Sequence, residues 1–162
     1  MAANETLAIW EAVGGVPPAS AAATLDTRNG HTVLDFDADA NESAHFCSVL
    51  PKNYAGGNLT AKLHWMATSA TSGNVRWRAA FERLEAAGPD LDADGFQTAV
   101  EANGAANATS GKVTVTSLTL TALDGGVAGD AFRIAVTRVA TDGTNDTMTG
   151  DAELLRVELV EA

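Results

Sequence analysis

The chain has 162 residues, with 10 Lys and Arg against 21 Asp and Glu and a net charge of −11. This length suits one domain with a full hydrophobic core, and the negative charge repels phosphate backbones and anionic lipid, which excludes nucleic acid and membranes as expected partners. The acidic residues are spread along the chain, which is typical of a solvated surface.

The first 22 residues predict an extended N-terminal arm. They hold one short apolar run, from Leu7 to Trp10, and then a stretch rich in Gly, Pro and Ala that favours an extended, poorly packed segment. Because Trp10 has no strand partner in the sequence, we expect Leu7, Ile9 and Trp10 to contact a partner surface or a neighbouring subunit, with local packing of Trp10 as the alternative. Residues 23–162 are predicted to form the single folded domain.

A β-hairpin is predicted at the start of that domain. Two runs of β-type composition, ATLDTR and HTVLDFD, are joined by Asn29 and Gly30. The backbone of an Asn-Gly pair tolerates the positive φ angles of a two-residue hairpin turn.

Five further segments predict strands, because apolar and polar residues alternate along them. In chain order they are ESAHFCSVLP, NLTAKLHWMAT, GNVRWRAAF, DAFRIAVTRV and AELLRVELV. GNVRWRAAF also fits helical spacing, and a strand is the interpretation we adopt. Trp65 and Trp77 fall on the apolar phase of their segments and are predicted to lie in the core. In the last segment Leu155, Val157 and Leu159 are predicted to share one face.

The segment KVTVTSLTLTAL changes phase partway along. Val113 and Val115 lie on one phase, and Leu118 and Leu120 lie on the other. A bulge or a strand that crosses between sheets would explain the change. With this segment the sequence predicts about eight strands, turns between them and no long helix, so we expect an all-β fold, either an antiparallel sandwich or a closed double sheet. Jelly rolls often contain a phase change of this kind, and the interpretation we adopt is an antiparallel, jelly-roll-like sandwich with an extended N-terminal arm.

The segment PDLDADGFQTAVE matches the spacing of a calcium loop, with Asp90, Asp92, Asp94 and Glu101 as the oxygen ligands. An EF-hand also needs flanking helices, yet a Gly-Pro pair interrupts the chain just before the first ligand. Gln97 stands where such loops normally place an aliphatic residue. A solvated acidic turn is therefore the favoured interpretation, and a calcium loop between strands is the alternative. No other cofactor is predicted.

His45 and Cys47 lie two residues apart in a predicted strand and therefore share a face, as a Cys/His dyad or a metal pair would require. No third group can be assigned to them, and a lone cysteine in an apolar strand is usually a small buried side chain. The sequence carries no G-x-S-x-G, Walker loop, dinucleotide fingerprint or H-E-x-x-H motif. We therefore expect no enzymatic activity.

Three stretches are distinctive when taken together: TVLDFD, HFCSVLPKNYAGGNLTAKLHWMATSATSGNVRW and GDAFRIAVTRVATDGTNDTMTGDAELLRVEL. They contain a strand ending in D-F-D, a P-x-x-Y-x-G-G turn and the run A-T-S-G-x-V-x-W. They close with a G-D-x-F…R…D-x-D-A-x-L-L-x-V pattern, which this sequence matches less closely in its middle part. Over about residues 32–160 this order resembles small jelly-roll virion proteins of tailed bacteriophages and prophages.

The resemblance implies a location more than an activity. Such virion proteins commonly assemble as homotrimers, and one recurrent role is that of a head decoration or cement protein at three-fold positions of the capsid lattice. The expected partners are then further copies of the chain and the major capsid protein, and the expected location is the outer surface of the phage head after synthesis in the bacterial cytoplasm. The alternative is a tail-fibre or receptor-binding β module that recognises a host glycan, with or without calcium.

Overall fold

The structure, a computed structural model, describes residues 4–162, which form ten β-strands and one short 3-10 helix. Residues 1–3 of the predicted arm lie outside the described residues. The strands are β1 (Thr6–Glu11), β2 (Thr24–Arg28), β3 (His31–Phe36), β4 (Glu42–Val49), β5 (Leu59–Ala67), β6 (Asn74–Arg83), β7 (Val100–Ala105), β8 (Thr114–Leu120), β9 (Ala131–Arg138) and β10 (Ala152–Glu161). The 3-10 helix, Ala12–Gly14, follows β1 directly.

The strands form two antiparallel sheets packed as a sandwich. Sheet 1 has the order β2-β3-β10-β5-β8, with β1 also paired to β10, and sheet 2 has the order β4-β9-β6-β7. The pairs β3 with β10, β4 with β9, β5 with β8 and β6 with β7 are nested within one another, which is the winding of an eight-stranded jelly roll. The predicted jelly-roll sandwich is confirmed, and the two strands that alternation did not predict are β1 and β7.

The core lies between the two sheets and is built on the predicted tryptophans. Trp65 and Trp77 are fully buried, and their rings meet edge to face at 5.8 Å. The indole Nε1 of Trp65 donates a hydrogen bond to Thr116 Oγ1 at 2.9 Å. A Cβ added at Gly104 would lie 2.1 Å from the same oxygen, so only glycine lets β7 approach β8 this closely.

The predicted hairpin is confirmed. β2 pairs with β3 from Thr24 and Asp35 to Arg28 and His31. The two turn residues, Asn29 and Gly30, have φ angles of 48° and 78°, as a two-residue turn of this kind requires.

In β8 the predicted bulge or crossing is wrong. The strand pairs residue by residue with β5, and Thr116, Leu118 and Leu120 face the core in regular alternation. Val113 and Val115, which suggested the phase change, instead project from the opposite face and are 46% and 49% exposed. The backbone of β8 is regular, and the unusual feature is the pair of apolar side chains on its outer face.

A bulge does occur in β10, where the register against β5 shifts between Leu154 and Arg156. Because of this shift Leu154, Val157 and Leu159 are buried in the core, while Leu155 is only partly buried and lines a groove on the outer face. The predicted common face of Leu155 with Val157 and Leu159 is therefore wrong. An extra residue in one strand turns the side chains on either side of it to opposite faces.

The N-terminal segment is extended, as predicted, but it lies against the sandwich. β1 pairs with β10 from Thr6 and Val160 to Glu11 and Arg156. Beyond the 3-10 helix the chain bridges to β4 at Val16 and Ala22 before β2 begins. The boundary expected after residue 22 does not separate an independent arm from the sheet, because β10 offers β1 a free edge.

The three side chains expected to contact a neighbour differ in their surroundings. Leu7 and Trp10 pack against the chain's own core. The Trp10 ring lies 5.9 Å from Phe46, and its Nε1 donates to the carbonyl of Cys47 at 2.9 Å. Ile9 points to the opposite side of the strand and is 58% exposed. Only Ile9 is left free for a partner.

A fully buried arginine connects β9 to the loop before β10. The Nη2 and Nε atoms of Arg138 lie 2.8 and 3.0 Å from the two carboxylate oxygens of Asp146. The guanidinium also donates to the carbonyl oxygens of Phe36, Met148 and Gly150. Four of these five contacts are buried and the one to Gly150 is partly buried, so the network holds β3, β9 and this loop together.

The P-x-x-Y-x-G-G motif forms a turn around a second buried charge. The Glu161 carboxylate accepts hydrogen bonds from the backbone N–H groups of Ala55 and Gly57 at 3.1 and 2.9 Å. The Tyr54 hydroxyl donates to the Gly57 carbonyl at 2.6 Å. Gly56 has a φ of 97°, which glycine adopts without strain. The motif that carries much of the family resemblance therefore has a structural role here.

Candidate functional site

A groove of about 410 Å³ opens on the outer face of sheet 1. We call it the sheet 1 groove. It is lined by Glu11, Val13, Gly30, His31, Thr32, His64, Val113, Leu155 and Arg156.

The groove exists because β10 changes partner along one edge. β3 pairs with β10 over Ala152 to Leu154, and β1 pairs with it from Arg156 onward. The end of β1 and the start of β3 therefore meet beside the bulge at Leu155 and leave a space between them. β5 closes the other side of β10, where His64 pairs with Arg156.

Aliphatic side chains make this face unusual. Ile9, Val13, Val113 and Val115 are between 46% and 65% exposed. They come from β1, the 3-10 helix and the region of β8, so distant parts of the sequence contribute to one face, on which β10 and β5 lie between Ile9 and Val115. We call these four residues the aliphatic patch; two of them, Val13 and Val113, also line the groove.

Charged groups surround the groove in pairs. The Nη2 of Arg156 lies 2.7 Å from Glu11 Oε1, and both side chains are about half exposed. The Nε2 of His64 lies 3.8 Å from Glu158 Oε2, and His31 is exposed at the start of β3. The charges of Arg156 and Glu11 offset each other at the groove, so its rim carries no net positive charge when the histidines are neutral.

An acidic cluster lies at the other end of the same face. Burial raises the pKa of Asp35 to about 6, and the charges of Glu153 and Asp26 add to the rise. The Oδ1 atom of Asp35 is buried without a hydrogen-bond partner. Arg28 reaches this cluster and donates from Nη1 to Glu153 Oε2 at 2.7 Å.

We expect Asp35→Asn to stabilise the protein above neutral pH and not in acid. The pKa of the Asp35 carboxyl group is about 6 in the folded state, against an ordinary value of 3.8. The stability contributed by the protonated group is therefore present below about pH 3.8 and is lost as the pH rises through about 6. After allowance for solvent screening, the ionised group costs about 1–2 kcal/mol. The melting temperature should rise by roughly 3–6 °C at about pH 8 and match the wild type below about pH 4.

The matched control is Asp92→Asn, which removes a carboxylate from an exposed loop. The melting temperature of this variant should stay close to that of the wild type at both pH values. If Asp35→Asn and Asp92→Asn behave alike at about pH 8, the interpretation of the acidic cluster is wrong.

The four residues of the calcium spacing are not brought together as ligands. Glu101 lies on β7, where two arginines, Arg76 and Arg78, pair with it at 2.9 and 2.6 Å and hold its pKa below the usual range. In the loop, Asp90 Oδ1 accepts a hydrogen bond from the backbone N–H of Asp92. Across residues 4–162, no group of three or more His, Cys, Asp or Glu side chains is placed to hold a metal ion.

His45 and Cys47 share the outer face of sheet 2, as their spacing predicts. Burial and the charge of Arg133 lower the pKa of His45, and Phe96 covers its ring at 5.0 Å. Arg133 in turn pairs with the buried carboxylate of Glu82. Cys47 is exposed, so the expectation of a buried cysteine is wrong. No hydrogen bond joins His45 to Cys47 in the part of the chain that the structure describes.

Sequence reasoning missed the groove and most of the patch, although one signal was present. Val113 and Val115 occupy positions where an outward-facing strand residue is normally polar. Taken as outward residues, they would have indicated an apolar surface. No local pattern indicates that Ile9 and Val13 lie on the same face.

Comparisons with known proteins add solved structures of similar architecture. No family model and no curated protein matches the chain. The chain is similar to a family 11 carbohydrate-binding module from Clostridium thermocellum in complex with a β-1,3-1,4-mixed-linked tetrasaccharide, with 7% identity, a TM-score of 0.46 and coverage of 96% of this chain and 88% of that one. It is also similar to a carbohydrate-binding module specific for non-crystalline cellulose, with 12% identity, a TM-score of 0.45 and coverage of 91% and 86%.

A third similar structure is an arabinose-bound α-L-arabinofuranosidase, with 14% identity and a TM-score of 0.46. The match covers 91% of this chain and 23% of the arabinofuranosidase chain. At these scores the similarities carry no conclusion about binding. Separately, the described residues include no helix with the length and apolar character needed to span a bilayer.

Proposed function

We propose that this chain is a non-enzymatic structural protein of a tailed-bacteriophage virion, a head decoration or cement protein that binds the assembled capsid lattice as a homotrimer. The observation that carries the proposal is the aliphatic patch on the outer face of sheet 1, at Ile9, Val13, Val113 and Val115. The resemblance of residues 32–160 to jelly-roll virion proteins supplies the setting.

A patch of this kind favours a protein partner. Exposed aliphatic side chains gain free energy when a second surface excludes water from them, and two of the four, Val13 and Val113, line the same groove. The patch lies on strands and a short helix of a rigid sandwich, so little conformational entropy is lost when it binds. A flat, repeated protein surface such as a capsid lattice fits these properties.

Stabilisation of a shell then follows from mass action. A protein that binds the assembled lattice better than loose capsid subunits shifts the equilibrium toward the intact shell. A trimer holds three copies of the contact at fixed spacing, so a modest affinity per copy becomes a strong attachment. This role requires no bond to be made or broken.

The alternative of a glycan-binding module rests on different side chains. Sugar rings usually stack on exposed aromatic rings, whereas Trp65, Trp77 and Tyr54 are buried and Trp10 is packed against Phe46. In residues 4–162 the large exposed apolar side chains are all aliphatic. The patch therefore supports a protein partner better than a glycan.

The test is binding to particles. Particles are purified from the phage or prophage whose genome carries the gene, after that gene has been deleted, and the purified chain is added back. We expect the wild type to sediment with the particles at saturable occupancy. Ile9→Asp and Val115→Asp should lower the affinity at least about tenfold, because each places a charge in an apolar contact.

Val127→Asp is the matched control, because Val127 is 53% exposed in the loop between β8 and β9 and lies outside the patch. It should bind particles as the wild type does. A wild type that does not sediment with particles, and instead binds an immobilised host glycan, would replace the proposal with the alternative. Deletion of residues 1–22 is not a suitable variant, because it removes β1 and the packed Trp10 ring.

A further inference from the structure

β8 forms a free edge of sheet 1. It pairs with β5 on one side, from Leu120 and Leu59 to Thr114 and Trp65, and the sheet ends there. Every second residue of such a strand points its backbone N–H and C=O groups away from its only neighbour. Within residues 4–162, no backbone group outside β5 forms a hydrogen bond with the backbone of β8. The edge is therefore a half-complete ladder that a further strand can complete.

The other edge strands of the sandwich are protected against pairing. In the part of the chain that the structure describes, each of them carries charge: Glu11 in β1, Asp26 and Arg28 in β2, Glu42 in β4 and Glu101 in β7. β1 also has a shift of register, and β4 is bridged by the chain at Val16 and Ala22. Charges, irregular register and covering segments are the features by which proteins keep edge strands from pairing.

β8 lacks these features. Its sequence, TVTSLTL, contains no charged residue and no proline, and its register against β5 has no shift. Val115, Ser117 and Thr119 are exposed on its outer face, while the alternate residues face the core. Such a regular, uncharged edge rich in β-branched residues is the kind that pairs with another strand.

A second copy of the chain fits this edge for two reasons. The net charge of −11 makes copies repel one another, so two copies meet most readily along an edge that carries no carboxylate. In addition, a strand turned by a twofold axis runs antiparallel to itself and presents the same unpaired groups at the same spacing. Each copy therefore offers the complement that the β8 edge of the other copy requires.

We propose that β8 of one copy pairs antiparallel with β8 of a second copy, about a twofold axis at Ser117. This register overlaps the whole strand from Thr114 to Leu120 and forms about six backbone hydrogen bonds between the copies. Val115 then lies opposite Thr119 of the second copy, a pairing of β-branched side chains that strands favour. The two copies of sheet 1 become one continuous sheet.

The inference goes beyond the proposed function, because it needs two copies of the chain and no capsid. A twofold contact cannot close a ring of three, so in the proposed homotrimer it lies between copies of neighbouring trimers. One strand pair is a small interface, so copies held close together on a lattice form it more completely than copies free in solution. The pairing uses backbone groups at the edge and leaves the outer face of Val115 open to the capsid.

The contact can be tested by covalent trapping at the twofold axis. Ser117→Cys, in a Cys47→Ser background that removes the exposed native cysteine, is oxidised and run on a non-reducing gel. Opposite residues of an antiparallel pair have Cα atoms about 4.5–5.5 Å apart, which a disulfide can span. We expect linked pairs of chains. Val127→Cys in the same background is the matched control, because Val127 is exposed in a loop outside β8; it should show only the linking caused by random collision.

The register can be tested with two more single-cysteine variants, Val115→Cys and Thr119→Cys, in the same background. In the proposed pair, residue 115 faces residue 119 of the second copy, whereas the two copies of residue 115 lie about 14 Å apart. A mixture of the two variants should therefore form linked pairs. Each variant oxidised alone should link no more than Val127→Cys does.

Amide hydrogen exchange reports the pairing without a disulfide. In the wild type, exchange of the β8 amides should slow when the protein concentration is raised, whereas exchange of the β2 amides should not change. Ser117→Lys and Ser117→Asp each place like charges opposite each other across the axis, so each variant alone should lose the protection. An equal mixture of the two should regain it. Ser117 is exposed, so both variants should keep the melting temperature of the wild type.

The outcomes separate this inference from the proposed function. Linking of Ser117→Cys above the Val127→Cys background, together with protection of β8 that Ser117→Lys abolishes, supports the inference. Equal linking of the two variants, or exchange in β8 that does not depend on concentration, overturns it and leaves particle binding untouched. Ile9→Asp should weaken particle binding and leave the trapping unchanged, because β10 and β5 lie between Ile9 and β8. Trapping in a chain that fails to bind particles supports the twofold contact and overturns the proposed function.

Discussion

Replacing Arg138 by methionine is expected to lower the free energy of unfolding by about 3–5 kcal/mol. The guanidinium is fully buried and makes two hydrogen bonds to the Asp146 carboxylate. Methionine replaces the aliphatic part of the arginine side chain but has no guanidinium and no donor, so the Asp146 charge would stay buried without its partner. The carbonyls of Phe36, Met148 and Gly150 would also lose their donor.

Urea unfolding followed by tryptophan fluorescence measures this effect. The matched control is Arg78→Met, since the Arg78 side chain is 41% exposed in its ion pair with Glu101 and such pairs contribute about 0–1 kcal/mol. The double variant Arg138→Met with Asp146→Asn should recover part of the loss, because it removes the unpaired charge. A loss below about 1 kcal/mol in Arg138→Met would contradict a structural role for the pair.

Replacing Glu161 by alanine is expected to lower the free energy of unfolding by about 2–3 kcal/mol. Glu161 is fully buried, and its carboxylate accepts hydrogen bonds from the N–H groups of Ala55 and Gly57. Without it, the turn of the P-x-x-Y-x-G-G motif loses its acceptor. The backbone between β4 and β5 should loosen as a result.

A second readout is specific to this charge. The chain has one tyrosine, Tyr54, whose pKa is raised by burial and additionally by the Glu161 charge. Ultraviolet titration should therefore give a lower pKa for Tyr54 in Glu161→Ala, though still above the ordinary value while the ring stays buried. Glu158→Ala, on the outer face of the same strand, should leave the titration unchanged. An unaltered Tyr54 titration in Glu161→Ala would count against this account of the turn.

The parts of the fold that could be predicted are those in which neighbouring residues carry the information. The turn at Asn29 and Gly30 follows from backbone chemistry, and alternation around Trp65 and Trp77 identifies the buried face of two strands. These signals need no knowledge of the partner strand. Together with the other alternating segments they predict an antiparallel sandwich, whereas the jelly-roll winding was also indicated by the resemblance.

The missed parts depend on contacts between distant residues. Thr6–Glu11 is short and has no local strand signal; it becomes β1 because the edge of β10 is available to it. The bulge that turns Leu155 outward arises where β10 changes partner, about 120 residues after the β2-β3 hairpin in the sequence. Likewise, spacing alone could not show that Glu101 pairs with Arg76 and Arg78 on a sheet surface.

The position of β10 sets the order in which the protein can fold during synthesis. β10 lies between β5 on one side and both β1 and β3 on the other, yet it is the last strand of the jelly roll to leave the ribosome. Until residue 161 has emerged, β1 and β3 have no central strand to join, and sheet 2 can form while sheet 1 cannot. Sheet 1 must therefore close after translation of this strand, through contacts that span nearly the whole chain and that form slowly. A nascent chain would expose the unfilled middle of sheet 1 to chaperones and aggregation until that last strand inserts.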